Sequence, residues 1–310
     1  MTLSDNGETF DLDFPLSDAL DNAILMHRDV HFGGSFDIML EYYERGGLGV
    51  QQEFDIKRIQ ELNMIEKKIK KDLAPEMLTG VDAERVGEAR EAYRRLKLLY
   101  EGTPSATKQY PRLIADLILA EDDEEAEGAV KVIVAEKTAI VPALVELLRS
   151  ENLHDPLFPG FGLAPALATR CLGNIGDKRA IIAIFESLGE SDFISDDQAL
   201  EALKHIGEPA KQFLLKVLHG RPLTFDNERA ATALINFKDD PEVSKTALEM
   251  LKTLDLKRDQ ILANELILIC EGLKSDADRK AFEVFAEAGS TPPSLRLDIR
   301  AIVKCWNEEV

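Results

Sequence analysis

The chain reads as all-α: an array of stacked helical hairpins preceded by a separate N-terminal helical section. Three observations predict it. Ala168, Ala199 and Ala230 lie 31 residues apart, and Leu172, Leu203 and Leu234 keep the same interval, which marks internal repetition. Within a copy, Ala168, Leu172 and Ile175 are spaced by four and three, so they share one helix face. Ala, Leu, Ile, Glu and Lys dominate while aromatics make up only 6%, a balance that favours helices over sheets.

The elements follow in chain order. Residues 1–107 lack the 31-residue period and form a helical cap section. Ser17 is placed to cap a helix over 18–31, striped by Leu16, Ala19, Ala23, Met26 and Val30 and stopped by Gly33 and Gly34. "SFDIMLEYYER" makes a second helix. Ile56, Ile59, Leu62, Ile65 and Ile69 stripe a third, and Val86, Ala89, Tyr93, Leu96 and Tyr100 stripe a fourth. The turn-rich "EGTPSATKQYP" at 101–111 marks the boundary with a repeat array over 108–310.

In that array the periodicity predicts six pairs: 110–120 with 123–136, 138–150 with 164–175, 178–189 with 195–206, 208–219 with 226–237, 241–253 with 258–272, and 276–288 with 293–307. Each of the three aligned copies closes with an acid at a turn, Asp177, Glu208 or Asp239. In the fifth pair Leu266, Cys270 and Leu273 repeat the four-and-three spacing 36 residues after the third copy. The last pair, with Trp306, reads as a capping unit.

The stretch "LGNIGDKRAIIAIFESL" resembles the HEAT-like repeat of the phycobilisome-lyase type, whose units run A-x-x-L-G-x-I-G-D-x-x-A-I-x-x-L; the likeness covers residues 164 to 250. The second copy keeps "HIGEPA" with a turn one residue shorter, and the third has Lys238 in place of the glycine. The resemblance implies an α-solenoid. Repeats of this type also occur in iron-dependent hydroxylases whose metal is held by His-Glu dipeptides, and the five histidines here are followed by Arg, Phe, Asp, Ile and Gly.

Charge and motifs narrow the function. A formal charge of −20 repels phosphate backbones and anionic lipid, so the expected partner is a protein or peptide, with a basic surface favoured, and neither nucleic acid nor membrane. The N-terminus lacks the basic start and apolar run of a signal peptide, no stretch reaches the length of a membrane span, and three scattered cysteines, Cys171, Cys270 and Cys305, read as buried reduced thiols. A cytoplasmic address is expected.

"MHRDVHFGG" at 26–34 sets His27 and His31 four apart. A metal reading needs both on one face with carboxylates such as Asp37 or Glu41 folded back, and Arg28 beside them opposes it; a helix end with cations favoured by the dipole explains every residue. "GFGLAP" at 160–165 has Pro165 at the third glycine position of a dinucleotide fingerprint and no preceding strand. "EDDEEAE" at 121–127 reads as a solvated run. No catalytic, cofactor-binding or metal-ligating residue is assigned.

Two connections, 151–162 and 219–227, exceed what a bare turn needs and carry Phe158, Phe161 and Phe225. These rings either tuck under their loops or anchor a partner. The expected function is a non-catalytic scaffold or adaptor. The alternatives are a lyase-like enzyme or chaperone acting on a prosthetic group or chromophore and, third, a nucleic-acid-binding helical repeat.

Overall fold

A computed structural model describes residues 18–101, 109–189, 193–288 and 291–308. Among these residues every regular element is a helix. In order they are α1 (Asp18–His31), α2 (Phe36–Arg45), α3 (Ile56–Ile69), α4 (Ala74–Met77), α5 (Gly80–Leu98), α6 (Gln109–Ile118), α7 (Asp123–Ala135), α8 (Val141–Leu148), α9 (Ala164–Ile175), α10 (Ile181–Ser187), α11 (Phe193–Ile206), α12 (Glu208–Leu218), α13 (Phe225–Leu234), α14 (Pro241–Leu251), α15 (Gln260–Cys270), α16 (Asp276–Glu287) and α17 (Pro293–Glu308), with short 3-10 turns between some of them.

The helices form two compact units, one of Met1–Ala126 with Asn152–Gly162, the other of Glu127–Glu151 with Leu163–Val310. This differs from a split at residue 107, because non-local contacts tie later residues into the first unit. The Leu48 N–H donates to the Glu121 carbonyl (3.2 Å), Arg112 Nε to the Leu99 carbonyl (2.8 Å), and Tyr100 Oη to Asp116 (2.5 Å). Residues 152–162 join it through Arg85–Asp155 and through Leu157 and Phe158, buried against Val30, Val86 and Ala89. Residues 102–108 of the expected boundary, and Ser17 as a cap, lie outside the described residues.

In the first unit α1, α2 and α3 bury Ile24, Leu25, Phe36, Met39, Ile59 and Leu62. Gly33 and Gly34 stop α1 with φ of 60° and 81°, a conformation glycine adopts without strain, and the Phe32 and Gly34 N–H groups close on the Arg28 carbonyl. Ser35 and Asp55 cap α2 and α3. Arg28 itself is wholly buried. Its guanidinium meets Asp29 (2.6 Å), Glu66 (2.7 Å) and Asp72 (2.7 Å) and lies over the Phe36 ring. A second buried charge, Asp21, is held by Arg58 through two bonds of 2.8 and 2.7 Å.

In the second unit neighbouring helices pair: α8 with α9, α10 with α11, α12 with α13, α14 with α15, and α16 with α17. Successive pairs meet through α9 with α11, α13 with α15, and α15 with α17. The repeat positions are interior, with Ala168, Leu172, Ala199, Leu203, Ala230, Leu234, Leu266 and Cys270 all buried. Gly176 takes φ of 70° and its N–H closes on the Leu172 carbonyl, while Asp177 accepts from the Arg179 N–H. In the third copy, Lys238 stays right-handed after a 3-10 turn, and the capping acid is Asp240, bonded to the Glu242 N–H, rather than Asp239.

Polar ties link successive pairs. Arg179 donates to the Thr138 carbonyl (2.6 Å), Lys211 to Asp240 (2.8 Å), and Trp306 Nε1 to the Glu271 carbonyl (2.9 Å). Cys171 and Cys270 are buried, and burial pushes both thiols up. Cys305 is exposed, against expectation. Among the described residues no helix is long and apolar enough to cross a membrane.

Candidate functional site

In the first unit, His27 and His31 end α1 with ring centroids 4.5 Å apart. His31 Nε2 lies 3.0 Å from the Pro156 carbonyl, which can only accept, so that nitrogen carries the proton; Nδ1 then accepts from Tyr93 Oη at 2.8 Å. Burial lowers His27 to about 3, with neighbouring His31 acting in the same direction, and burial lowers His31 to about 4. Both imidazoles are therefore neutral near pH 7, which corrects the expectation of cationic side chains facing the helix dipole. No group of three or more metal-ligating side chains gathers among the described residues. With both nitrogens of His31 engaged, the pair acts as a packed joint between α1, α5 and the 152–162 loop.

Phe161 completes that joint. It takes φ of 55° between Gly160 (87°) and Gly162 (80°), a conformation unfavourable for a side-chain-bearing residue, and its ring stacks on His31 at 4.5 Å and faces Tyr42 at 6.1 Å. The ring lies so close to the Gly49 backbone that a Cβ there would come within 2.3 Å of it. Phe158 is 6% exposed. Beside Phe161 a cleft of 720 Å³ opens, with Tyr42, Tyr93 and His31 among its walls and Arg90, Arg94 and Lys97 along α5.

Phe225 belongs to the second unit, so the three rings singled out in the sequence are divided between units. It is 57% exposed, with the Arg229 guanidinium 4.8 Å from its centroid. Of the three it alone presents most of its surface to solvent.

The second helices of this unit carry a further face. On α15, Ile261 (61% exposed) and Leu268 (43%) flank Glu265 at helical spacing. The repeat intervals of 31 and 36 carry Gln198 and Glu201 of α11 onto Glu265 and Leu268, so these side chains occupy equivalent positions. Burial, followed by the neighbouring Glu228 on α13, raises the Glu265 carboxyl above its ordinary value. The two acids, Glu228 and Glu265, thus act on each other from different helices.

Where α9 meets α11, Arg170, Asn174, Gln198, Glu201 and His205 ring a pocket of 440 Å³. Its base is backbone and methyl, since a Cβ on Gly173 would lie 2.7 Å from Ala202 Cα. The sequence marked the buried side of these helices through Leu172 and Leu203; the exposed side has no motif and was readable only by carrying the same register round the helix. Comparison with family models returns no match, and comparison with curated proteins returns none either.

Proposed function

We propose that this chain is a non-catalytic helical-repeat adaptor. Its second unit is read as an α-solenoid of HEAT-like hairpins that holds a protein or peptide with a basic surface along the second helices. The observation that carries the reading is the exposed strip on α15: Ile261 and Leu268 present apolar surface on either side of Glu265, and Leu268 does so at the repeat position that Glu201 occupies in α11. The formal charge of −20 favours encounter with a cationic partner. A cytoplasmic address belongs to the same proposal.

A photo-crosslinking amino acid at position 268 tests it in cells. The expected product is one discrete adduct with a basic protein, absent when the crosslinker sits at Ile182, an exposed residue of α10. Equal labelling from both positions, or none from 268, overturns the reading.

A second reading, chaperoning of a prosthetic group, draws on the first unit's cleft. The rings of Tyr42, Tyr93 and Phe161, with Arg90, Arg94 and Lys97 on one wall and Glu101 and Glu121 also lining the cleft, suit a planar molecule of mixed polarity. An absorbance band above 300 nm in protein purified from its native source, on the order of one chromophore per chain, would favour it.

A further inference from the structure

We infer that the pocket between α9 and α11 receives an arginine side chain of the partner, an inference that rests on the adaptor reading and names what that partner must present. Four features converge on a guanidinium. The first is an acceptor without a donor: Gln198 Oε1 is buried and has no hydrogen bond among the described residues. Such an oxygen is costly in the free protein, and a donor that the partly exposed Gln198 side chain turns to meet in the pocket relieves that cost.

The second is an uncommitted carboxylate. Glu201 stands one helical turn from Gln198 on the same face of α11, is exposed, and has no ion pair among the described residues. Third, the cation already present is neutralised, because Arg170 Nη1 is held by Glu127 at 2.5 Å. Glu201 acts on that guanidinium through its charge alone, after Glu127, and makes no ion pair with it, so its carboxylate oxygens remain open to a second positive charge. Fourth, the base formed by Gly173 and Ala202 is flat, with the α9 and α11 backbones in close approach, so a planar group can lie on it without displacing a side chain.

A guanidinium satisfies all four together. Its fixed fork of N–H donors reaches a carboxylate and a neighbouring carbonyl oxygen at once, and it sheds water more readily than an ammonium. A lysine would meet Glu201 as a point charge and leave Gln198 Oε1 to chance. A partner carboxylate would face Glu201 directly. The exposed Asn174 and His205 complete the wall and are within the same ring of side chains.

The test is an NMR titration of the full chain, with glycine amides labelled, using N-acetyl-arginine methylamide as the probe. The lysine compound and the uncharged, isosteric citrulline compound serve as controls. The expected result is a saturating shift of the Gly173 amide with the arginine probe, and binding at least about five-fold weaker for both controls. Glu201→Gln should weaken the arginine probe by a similar factor, while Gln198→Glu should strengthen it. A silent Gly173 in a folded protein, equal binding of citrulline, or an unaffected Glu201→Gln variant each overturns the inference. Cross-linking from position 268 that survives Glu201→Gln while Gly173 stays silent removes the arginine site and keeps the adaptor. Saturable arginine binding without any cross-link from 268 removes the adaptor and leaves the pocket's preference standing.

Discussion

The two units reach stability by different routes. The first buries charge: Arg28 among Asp29, Glu66 and Asp72, and Asp21 under Arg58, together with neutral histidines. The second buries repeated small and branched apolar side chains in helix pairs, keeps one buried cation, Lys211 among Glu208, Asp240 and Glu242, and leaves most of its other charges at the ends of helices and on exposed faces. Periodic apolar packing spreads stability over equivalent positions, whereas a buried ionic cluster concentrates it in one residue. Loss of Arg28 from that cluster strands Asp29 and Glu66 with little solvent, while Asp72 keeps water on one side.

That contrast is most directly broken at Arg28. Replacing Arg28 by Met should destabilise the first unit by about 3–5 kcal/mol, because Asp29, Glu66 and Asp72 lose their common counter-ion. Urea unfolding followed by hydrogen exchange would show loss of protection over α1 to α5 with α9 to α15 retained. A loss shared equally by both units would mean that they do not unfold separately.

In the second unit the effect should be spread evenly. Leu172→Ala, Leu203→Ala and Leu234→Ala, all at fully buried positions, should each cost about 2–5 kcal/mol and agree with one another more closely than with any first-unit variant. An unchanged denaturation midpoint in any one of the three would break the 31-residue register. Phe158 and Phe225 sharpen the same comparison. Phe158→Ala, at a buried ring, should cost about 3–5 kcal/mol, and Phe225→Ala, at an exposed one, about 0.5 or less.

The histidines of α1 give the first unit a pH dependence of its own. In the unfolded chain they take up protons near pH 6.5, but in the folded protein only near pH 4 for His31 and near pH 3 for His27. Between those limits the unfolded state binds more protons, so stability falls as pH drops from 6.5 toward 4, by on the order of a few kcal/mol in all. Denaturant midpoints at pH 7, 5.5 and 4.5 should decline in the native protein and flatten in a His27→Gln, His31→Gln variant. Parallel slopes for the two proteins would show that the imidazoles take up protons in the folded protein as they do in the unfolded chain.

Helix positions were legible where a local pattern carried them. The stripes ending in Met26 and Val30 and the four-and-three spacing at Ala168, Leu172 and Ile175 place α1 over 18–31 and α9 over 164–175, as found. The four-residue α4 is too short to show a period. Arg28 read as a helix-end cation because its partners Glu66 and Asp72 lie 38 and 44 residues away, and nothing in residues 26–34 announces them. Residues 152–162 were recognised as an unusual connection, yet their place against His31 depends on a contact 125 residues distant in sequence. For the pocket between α9 and α11, the register was legible but the unpartnered oxygen of Gln198 was not, since a missing bond leaves no pattern in a sequence.

The route of the chain through the first unit has a consequence for the order in which the protein is made. Its first 126 residues emerge from the ribosome without the segment that covers the end of α1, and that segment arrives only with residues 152–162. At about 5–20 residues per second the interval lasts on the order of seconds, far longer than a helix needs to form. Throughout it the underside of Val30, Val86 and Ala89 waits for Leu157 and Phe158. A nascent chain from which residue 157 has not yet emerged should accordingly expose apolar surface that the finished protein hides, and be a client for chaperones in a way that one whose "GFG" has cleared the ribosome is not.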